Sequence, residues 1–259
     1  MTKEMLNKMV IPKSNTKCET SGKIDMETLS SVWSINTVNP FLDRDVKNPA
    51  YNPNRHPTIF PEELAYRIIE LYSRRGDVVL DPFCGTGTTS AVALKNGRKP
   101  IGYELSPEYI KTANERCKNR AAHFCKSSED MVELRDGSVD LCLPSPPYLG
   151  FKKFTDYPDD ISTTKRPYQK LNRVLREIFR VLKPGGALCL NVCDFPKERG
   201  ILSTFPYDMI YMSINAGFRM INSVVWKKTI RLTRWNLTHK KIRHNHEYIW
   251  VFKKPWEVA

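Results

Sequence analysis

The sequence predicts an α/β fold, doubly wound around a mostly parallel sheet with an antiparallel hairpin at its edge, and three observations carry that expectation. Short apolar runs alternate with stretches of helical period from Pro61 onward. A glycine-rich loop stands between the first of those runs and the helix after it. Two further apolar runs, near 218–226 and 247–253, are joined by one long basic connection, as in a hairpin.

The elements follow in order. Residues 1 to about 29 are polar, rich in Lys, Thr and Ser, and without a sustained period, so they read as a loosely ordered arm. In PEELAYRIIELYS, Leu64, Ile68 and Leu71 recur at helical spacing, Pro61 suits a helix start, and Gly76 breaks the pattern. Asp77 to Leu80 is a short strand, and SAVALKNG after the glycine loop is helical. A strand from Pro100 to Tyr103, a helix from about Pro107 to Arg120 and a strand from Val139 to Leu143 come next. Helix LNRVLREIFRVL is expected to end at Lys183-Pro184-Gly185-Gly186, followed by strand ALCLNV and helix FPYDMIYMSINAG. The chain divides into the arm, 1–29, and one domain, 30–259, with a first half over about 30–130 and a second over about 131–254.

The 259 residues carry 41 Lys and Arg against 28 Asp and Glu, a net +13 that favours polyanionic partners, nucleic acid first. Seven cysteines are scattered without zinc-site or disulfide spacing, which points to reduced thiols in a cytoplasmic protein and to no metal centre. No apolar run approaches a membrane span, and MTKEMLNKMV lacks the apolar region of a signal peptide.

The loop Asp81-Pro82-Phe83-Cys84-Gly85-Thr86-Gly87-Thr88-Thr89 is placed to bind a ligand at the carboxyl edge of the sheet, where Gly85 and Gly87 admit close backbone approach. By itself it suits a tight turn or a dinucleotide site equally well. Ile101-Gly102-Tyr103-Glu104 adds a carboxylate at the next strand end, suited to two ribose hydroxyls.

DPFCGTGTT followed by IGYELSPEYI resembles the cofactor half of the amino-directed DNA methyltransferases, which make N6-methyladenine and N4-methylcytosine. Val32-Trp33-Ser34-Ile35 and His56-Pro57-Thr58-Ile59-Phe60-Pro61-Glu62-Glu63-Leu64 are similar to that family's accessory cofactor motif, and the likeness runs from Trp33 to Lys254. The resemblance implies a Rossmann-like methyltransferase sheet binding S-adenosyl-L-methionine. Asp81, Phe83, Gly85 and Gly87 would line the cofactor, Glu104 would hold the ribose, and Thr58 and Phe60 would approach the methionine end. Trp33, Leu105, Ser128 and the remaining loop residues complete the implied cofactor set. Where the family often has an acid near the adenine, this chain has Lys126-Ser127-Ser128-Glu129.

Ser145-Pro146-Pro147-Tyr148 directly follows a strand at the same sheet edge. The prolines restrict the backbone, so the Pro146 carbonyl and the Ser145 side chain can face one amino group, and Tyr148 offers a stacking face to an extruded base. In the resembling family this is the catalytic motif, and serine in its first position is similar to the cytosine-N4 members. The implied activity is methylation of cytosine N4 in duplex DNA, as in restriction-modification with a companion endonuclease. Adenine N6 or an RNA base are the alternatives. Cys142 and Cys189 lack the setting of a C5-cytosine nucleophile.

Lys227, Lys228, Arg231, Arg234, Lys240, Lys241 and Arg243, with Trp235 among them and a single acid, Glu247, suit phosphate contact, as do Lys152 and Lys153 after the catalytic motif. His239, His244 and His246 lead into the strand EYIWVF rather than into a metal-site context. The cofactor half precedes the catalytic half, so the chain looks circularly permuted relative to many members with this style of cofactor half, and it shows no separate target-recognition domain.

Overall fold

A computed structural model describes residues 25–35, 61–147, 149, 157, 159–195, 201–228 and 245–256. Its strands are β1 (Val32–Ile35), β2 (Val78–Asp81), β3 (Lys99–Glu104), β4 (Ala122–Cys125), β5 (Val139–Cys142), β6 (Leu182–Val192), β7 (Arg219–Lys228) and β8 (His246–Lys253). The helices are α1 (Glu62–Tyr72), α2 (Thr88–Lys95), α3 (Pro107–Arg116), α4 (Pro167–Val181) and α5 (Phe205–Asn215). The strands form one sheet in the order β1-β7-β8-β6-β5-β2-β3-β4. Every described pairing is parallel except those of β8, which runs against both β6 and β7.

That topology positions the site. The carboxyl ends of β2, β3, β5, β6 and β7 and the amino end of the reversed β8 fall on one edge, so loops distant in sequence converge there. Alternate strand residues feed two cores. Leu80, Leu188, Leu190 and Phe252 pack with α4 and α5, whereas Val79, Cys189, Ile249 and Val251 pack with α1, α2 and Trp33. Cys142 and Cys189 are fully buried, and burial pushes both thiols well above their usual range, so they are packing residues.

Several sequence expectations are revised. The hairpin of β7 and β8 forms, with β1 added in parallel outside β7. Of the arm expected through residue 29, residues 25–29 make a docked turn: Asp25 accepts from the Thr28 backbone N–H (2.7 Å), Thr28 is buried, and its carbonyl accepts from the Trp33 indole (3.2 Å). Helix α3 stops at Arg116 because Lys118 and Asn119 adopt left-handed backbone (φ 51° and 52°) that turns the chain into β4, a strand too short and polar to stand out in sequence. Helix α4 ends at Val181, and Lys183 to Gly186 belong to β6 as an irregularity rather than to a helix cap. Reciprocal backbone bonds between Gly185, Gly186 and Lys254 hold that stretch in the sheet (2.8 and 3.0 Å). Among the described residues no helix is long and apolar enough to cross a membrane.

Gly102 is dictated by packing. A Cβ there would lie 2.7 Å from the Cys84 Sγ and 2.8 Å from a His123 ring carbon, so β3 can pass beneath the glycine loop only without a side chain. Gly102→Ala should therefore destabilise the protein by about 1–3 kcal/mol, the usual cost of overpacking, read as a lower urea midpoint at unchanged slope. An unaltered midpoint would mean that the loop does not press on β3.

Candidate functional site

The glycine loop is shaped mainly by its own side chains. Asp81, at the end of β2, is buried and accepts from the Phe83 backbone N–H (3.0 Å) and the Thr89 hydroxyl (2.6 Å), pinning both limbs of the turn. Burial pushes its carboxyl up to about 7, against the pull of those two donors. Gly87 takes left-handed backbone (φ 80°) at the start of α2, and a Cβ there would meet the Ala113 Cβ at 2.9 Å. Gly87 thus lets α3 approach, a different task from the ligand contact expected of it, and Thr89 likewise braces the loop through Asp81.

Glu104, at the end of β3, gathers three backbone donors: Gly85 N–H to one oxygen (3.1 Å), Leu105 and Ser106 N–H to the other (2.8 and 3.0 Å). Burial raises its pKa and these bonds oppose that. Oε1 has both lone pairs taken by Leu105 and Ser106, whereas Oε2, held by Gly85 alone, retains capacity for a hydroxyl donor. Pro82, Phe83, Cys84, Gly85, Thr86 and Thr88 line the cleft with Asp81, Glu104 and Leu105. Ser128 lines it too, while Glu129 turns away to Lys170 (3.0 Å) and Arg173 (2.9 Å), which accounts for the missing acid at that wall.

The strap after β5 borders the same cleft. Leu143 N–H donates to the Leu80 carbonyl (2.9 Å) and the Pro144 carbonyl accepts from Asn191 N–H (3.0 Å), so the strap is tied to β2 on one side and β6 on the other. Ser145, Pro146 and Pro147 line the cleft beside the glycine loop, with Pro146 itself buried. Two motifs far apart in the chain thus share one cavity.

Six other lining residues belong to none of the sequence motifs: Asp159, Asp160, Ile161, Asn191, Trp226 and Glu247. Two carry a signal, Asn191 as a polar residue within the apolar strand ALCLNV and Glu247 as the single acid in a basic stretch. Asp81, Glu104, Asp159, Asp160 and Glu247 face the cleft with Lys126 as its described base, although the chain carries +13 overall. Such a lining repels phosphate and favours a cationic or hydroxyl-bearing ligand, which argues against a dinucleotide.

Trp33 is not brought to the cleft. It is fully buried, with Arg67 over its ring at 5.7 Å, because β1 docks against β7 rather than beside the loop. Lys228, expected on nucleic acid, is paired with Glu247 at 2.8 Å beneath the site, while Lys227 is exposed. Thr58, Phe60, Tyr148, Lys152, Lys153, Arg231, Arg234, Trp235, His239, Lys240, Lys241, Arg243 and His244 lie outside the described residues.

The family model described as DNA methylase, for N6 and N4 methyltransferases, matches residues 3–115 and 139–258. The orphan methyltransferase M.BamHII of Bacillus amyloliquefaciens is 55% identical over 65 residues, covering 25% of this chain and 24% of the relative. The DNA adenine methyltransferase YhdJ of Escherichia coli is 48% identical over 105 residues, covering 40% and 32%. The matched stretches thus span about a quarter to a third of those relatives' lengths. A putative methyltransferase from Bacillus halodurans shares the fold at TM-score 0.53 and 15% identity, over 74% of this chain and 98% of that one. The [4+2]-cyclase SpnF shares it at TM-score 0.53 and 18% identity, over 76% and 82%. With its family model matched along most of its length, the chain belongs to the DNA methylase family of N6 and N4 methyltransferases.

Proposed function

We propose that this protein transfers a methyl group from S-adenosylmethionine to an exocyclic amino group of a base flipped out of duplex DNA, with cytosine N4 as the target. The observation that carries this reading is the common cleft of Glu104, the glycine loop and the Ser145-Pro146-Pro147 strap. The cavity fits the cofactor: Glu104 is placed for ribose hydroxyls, Phe83 and Tyr109 supply aromatic walls, and the acidic lining favours a cation. When bound, S-adenosylmethionine supplies an electrophilic methyl on a sulfonium.

The strap's work is to make the amine a nucleophile. A base amino group delocalises its lone pair into the ring, and a hydrogen bond to the Pro146 carbonyl, with the Ser145 hydroxyl holding the base edge beside it, steadies the nitrogen while it becomes pyramidal. No thiol nucleophile is involved. Tyr148, next in sequence after Pro147, is assigned as the stacking surface for the base. Serine at 145 favours cytosine, while the 48% identity with a DNA adenine methyltransferase supports adenine N6 as a second reading. Lys227 and the basic stretch from Arg231 to Arg243 are assigned to the DNA backbone, and the protein is assigned to the cytoplasm, where a companion endonuclease would make the pair a restriction-modification system.

Calorimetry should detect S-adenosylmethionine binding. Glu104→Ala should weaken it roughly 10- to 100-fold, the value of one or two hydrogen bonds to a charged group, and Gly85→Asp should abolish it. A wild type that binds no cofactor would sink the proposal.

Ser145→Ala should slow methyl transfer more than it weakens DNA binding, and Tyr148→Ala should cost about 1–3 kcal/mol through lost stacking while sparing cofactor affinity. Nucleoside mass spectrometry of methylated DNA should show N4-methylcytosine. N6-methyladenine alone would select the second reading, and 5-methylcytosine would refute both.

Changing Lys240 and Lys241 to Ala should flatten the salt dependence of duplex binding, lowering the slope of log affinity against log salt by about 0.9 per lost contact. An unchanged slope would place that stretch away from DNA.

A further inference from the structure

Asn191 stands near the carboxyl end of β6 and is 2% exposed. Its Nδ2 donates to the Glu247 carboxylate (2.9 Å) and lies 3.4 Å from the Ser145 hydroxyl oxygen. Its Oδ1 is buried with no hydrogen-bond partner, although the residue borders the cleft beside Ser145 and Pro146. An orphaned buried acceptor is costly to keep, and such groups gather where a ligand completes them.

The orientation of that carboxamide is fixed. Turning it over would set Oδ1 against the Glu247 carboxylate, so Nδ2 must face Glu247 and Oδ1 must be the free atom. Glu247 is held in turn by Lys228, 2.8 Å from its other oxygen. The same arrangement sets the polarity of Ser145. Its oxygen accepts a hydrogen bond from Asn191, so its own O–H is available as a donor.

We propose that the Asn191 Oδ1 accepts a hydrogen bond from the target amino group, that the Ser145 hydroxyl donates to the ring nitrogen beside it, and that Glu247 is the positioning residue fixing this polarity. The pair, acceptor beside donor, complements the edge where an amino group adjoins an unprotonated ring nitrogen, which cytosine and adenine present. It mismatches thymine, whose edge sets a carbonyl beside a ring N–H. This inference rests on the proposed base-methylation reading and gives Asn191 and Glu247 roles in it.

The test uses the full chain, tritiated S-adenosylmethionine and plasmid DNA grown without methylases, with single-turnover methyl transfer and cofactor Kd measured separately. Asn191→Ala should cut the transfer rate at least tenfold with cofactor Kd within twofold of wild type. Glu247→Ala should lower the rate in the same way, and Glu247→Gln, which can still accept from Nδ2, should restore most of it. Asn191→Asp offers a check that a purely structural role would not pass. When protonated, the carboxyl introduced by Asn191→Asp reproduces the amide by donating to Glu247 and leaving one oxygen free; when ionised, it opposes Glu247. The rate of this variant relative to wild type should therefore be highest at low pH and fall as pH rises. Glu104, Asp159, Asp160, Lys126 and Lys228 around the cleft, and Asp194, His246 and Tyr248 near it, are common to both proteins, so the ratio isolates the substituted position. Asn191→Ala at more than half the wild-type rate, no rescue by Glu247→Gln, or a pH-independent Asn191→Asp ratio would each overturn the proposal. Absence of methyl transfer by the wild type would instead overturn the base-methylation reading and this inference with it.

Discussion

The contact on which the site depends is the hydrogen bond from the Gly85 backbone to the Glu104 carboxylate. It fixes the tip of the glycine loop to the end of the neighbouring strand, so the two ligand-facing elements move as one. The same carboxylate also holds the Leu105 and Ser106 N–H groups, which brings the turn into α3 under its control. Ser106 then caps α3 by accepting from Tyr109 N–H, and Tyr109 forms part of the cleft wall. One acidic side chain thereby organises three consecutive segments of the cavity.

Beneath the loop the tolerance is small. Asp81 pins both limbs from inside, Cys84 fills the space over Gly102, and Gly87 accepts the approach of Ala113. Outside it, Glu62 receives both Lys95 and Arg116 and so joins α1, α2 and α3. A second, fully buried pair, Arg98 with Glu70, locks the start of β3 to α1, with further guanidinium bonds to the Ser73 and Asn96 carbonyls. Breaking one partner of such a pair leaves a buried charge, a much larger penalty than the net value of the pair. The rigidity suits the proposed methyl transfer, in which the cavity would hold two reactants in line.

Charge is divided by location. The cleft gathers carboxylates, while the excess of Lys and Arg lies elsewhere along the chain. A cationic cofactor and the polyanionic substrate proposed above would make opposite demands, and this separation would let one protein meet both. The Lys228–Glu247 pair marks the boundary: a cation from the basic stretch turned inward to neutralise an acid in the floor of the site.

The α/β class, the glycine loop, Glu104 and the Ser145-Pro146-Pro147 strap are all legible in the residues alone, because each is encoded locally in side chains whose backbone preference or chemistry is distinctive. Short-range periodicity also locates most strands and helices. The remainder waits on long-range pairing. Trp33 became core rather than cofactor contact because β1 pairs with β7, a partner nearly two hundred residues away. Gly185 and Gly186 joined a strand rather than capping a helix because Lys254 supplies their hydrogen bonds. Asn191 reached the site because β6 pairs in parallel with β5, and Trp226 and Glu247 because β8 runs antiparallel between β6 and β7, setting its amino end beside their carboxyl ends. No local pattern specifies which strands become neighbours; burying both faces of the sheet does.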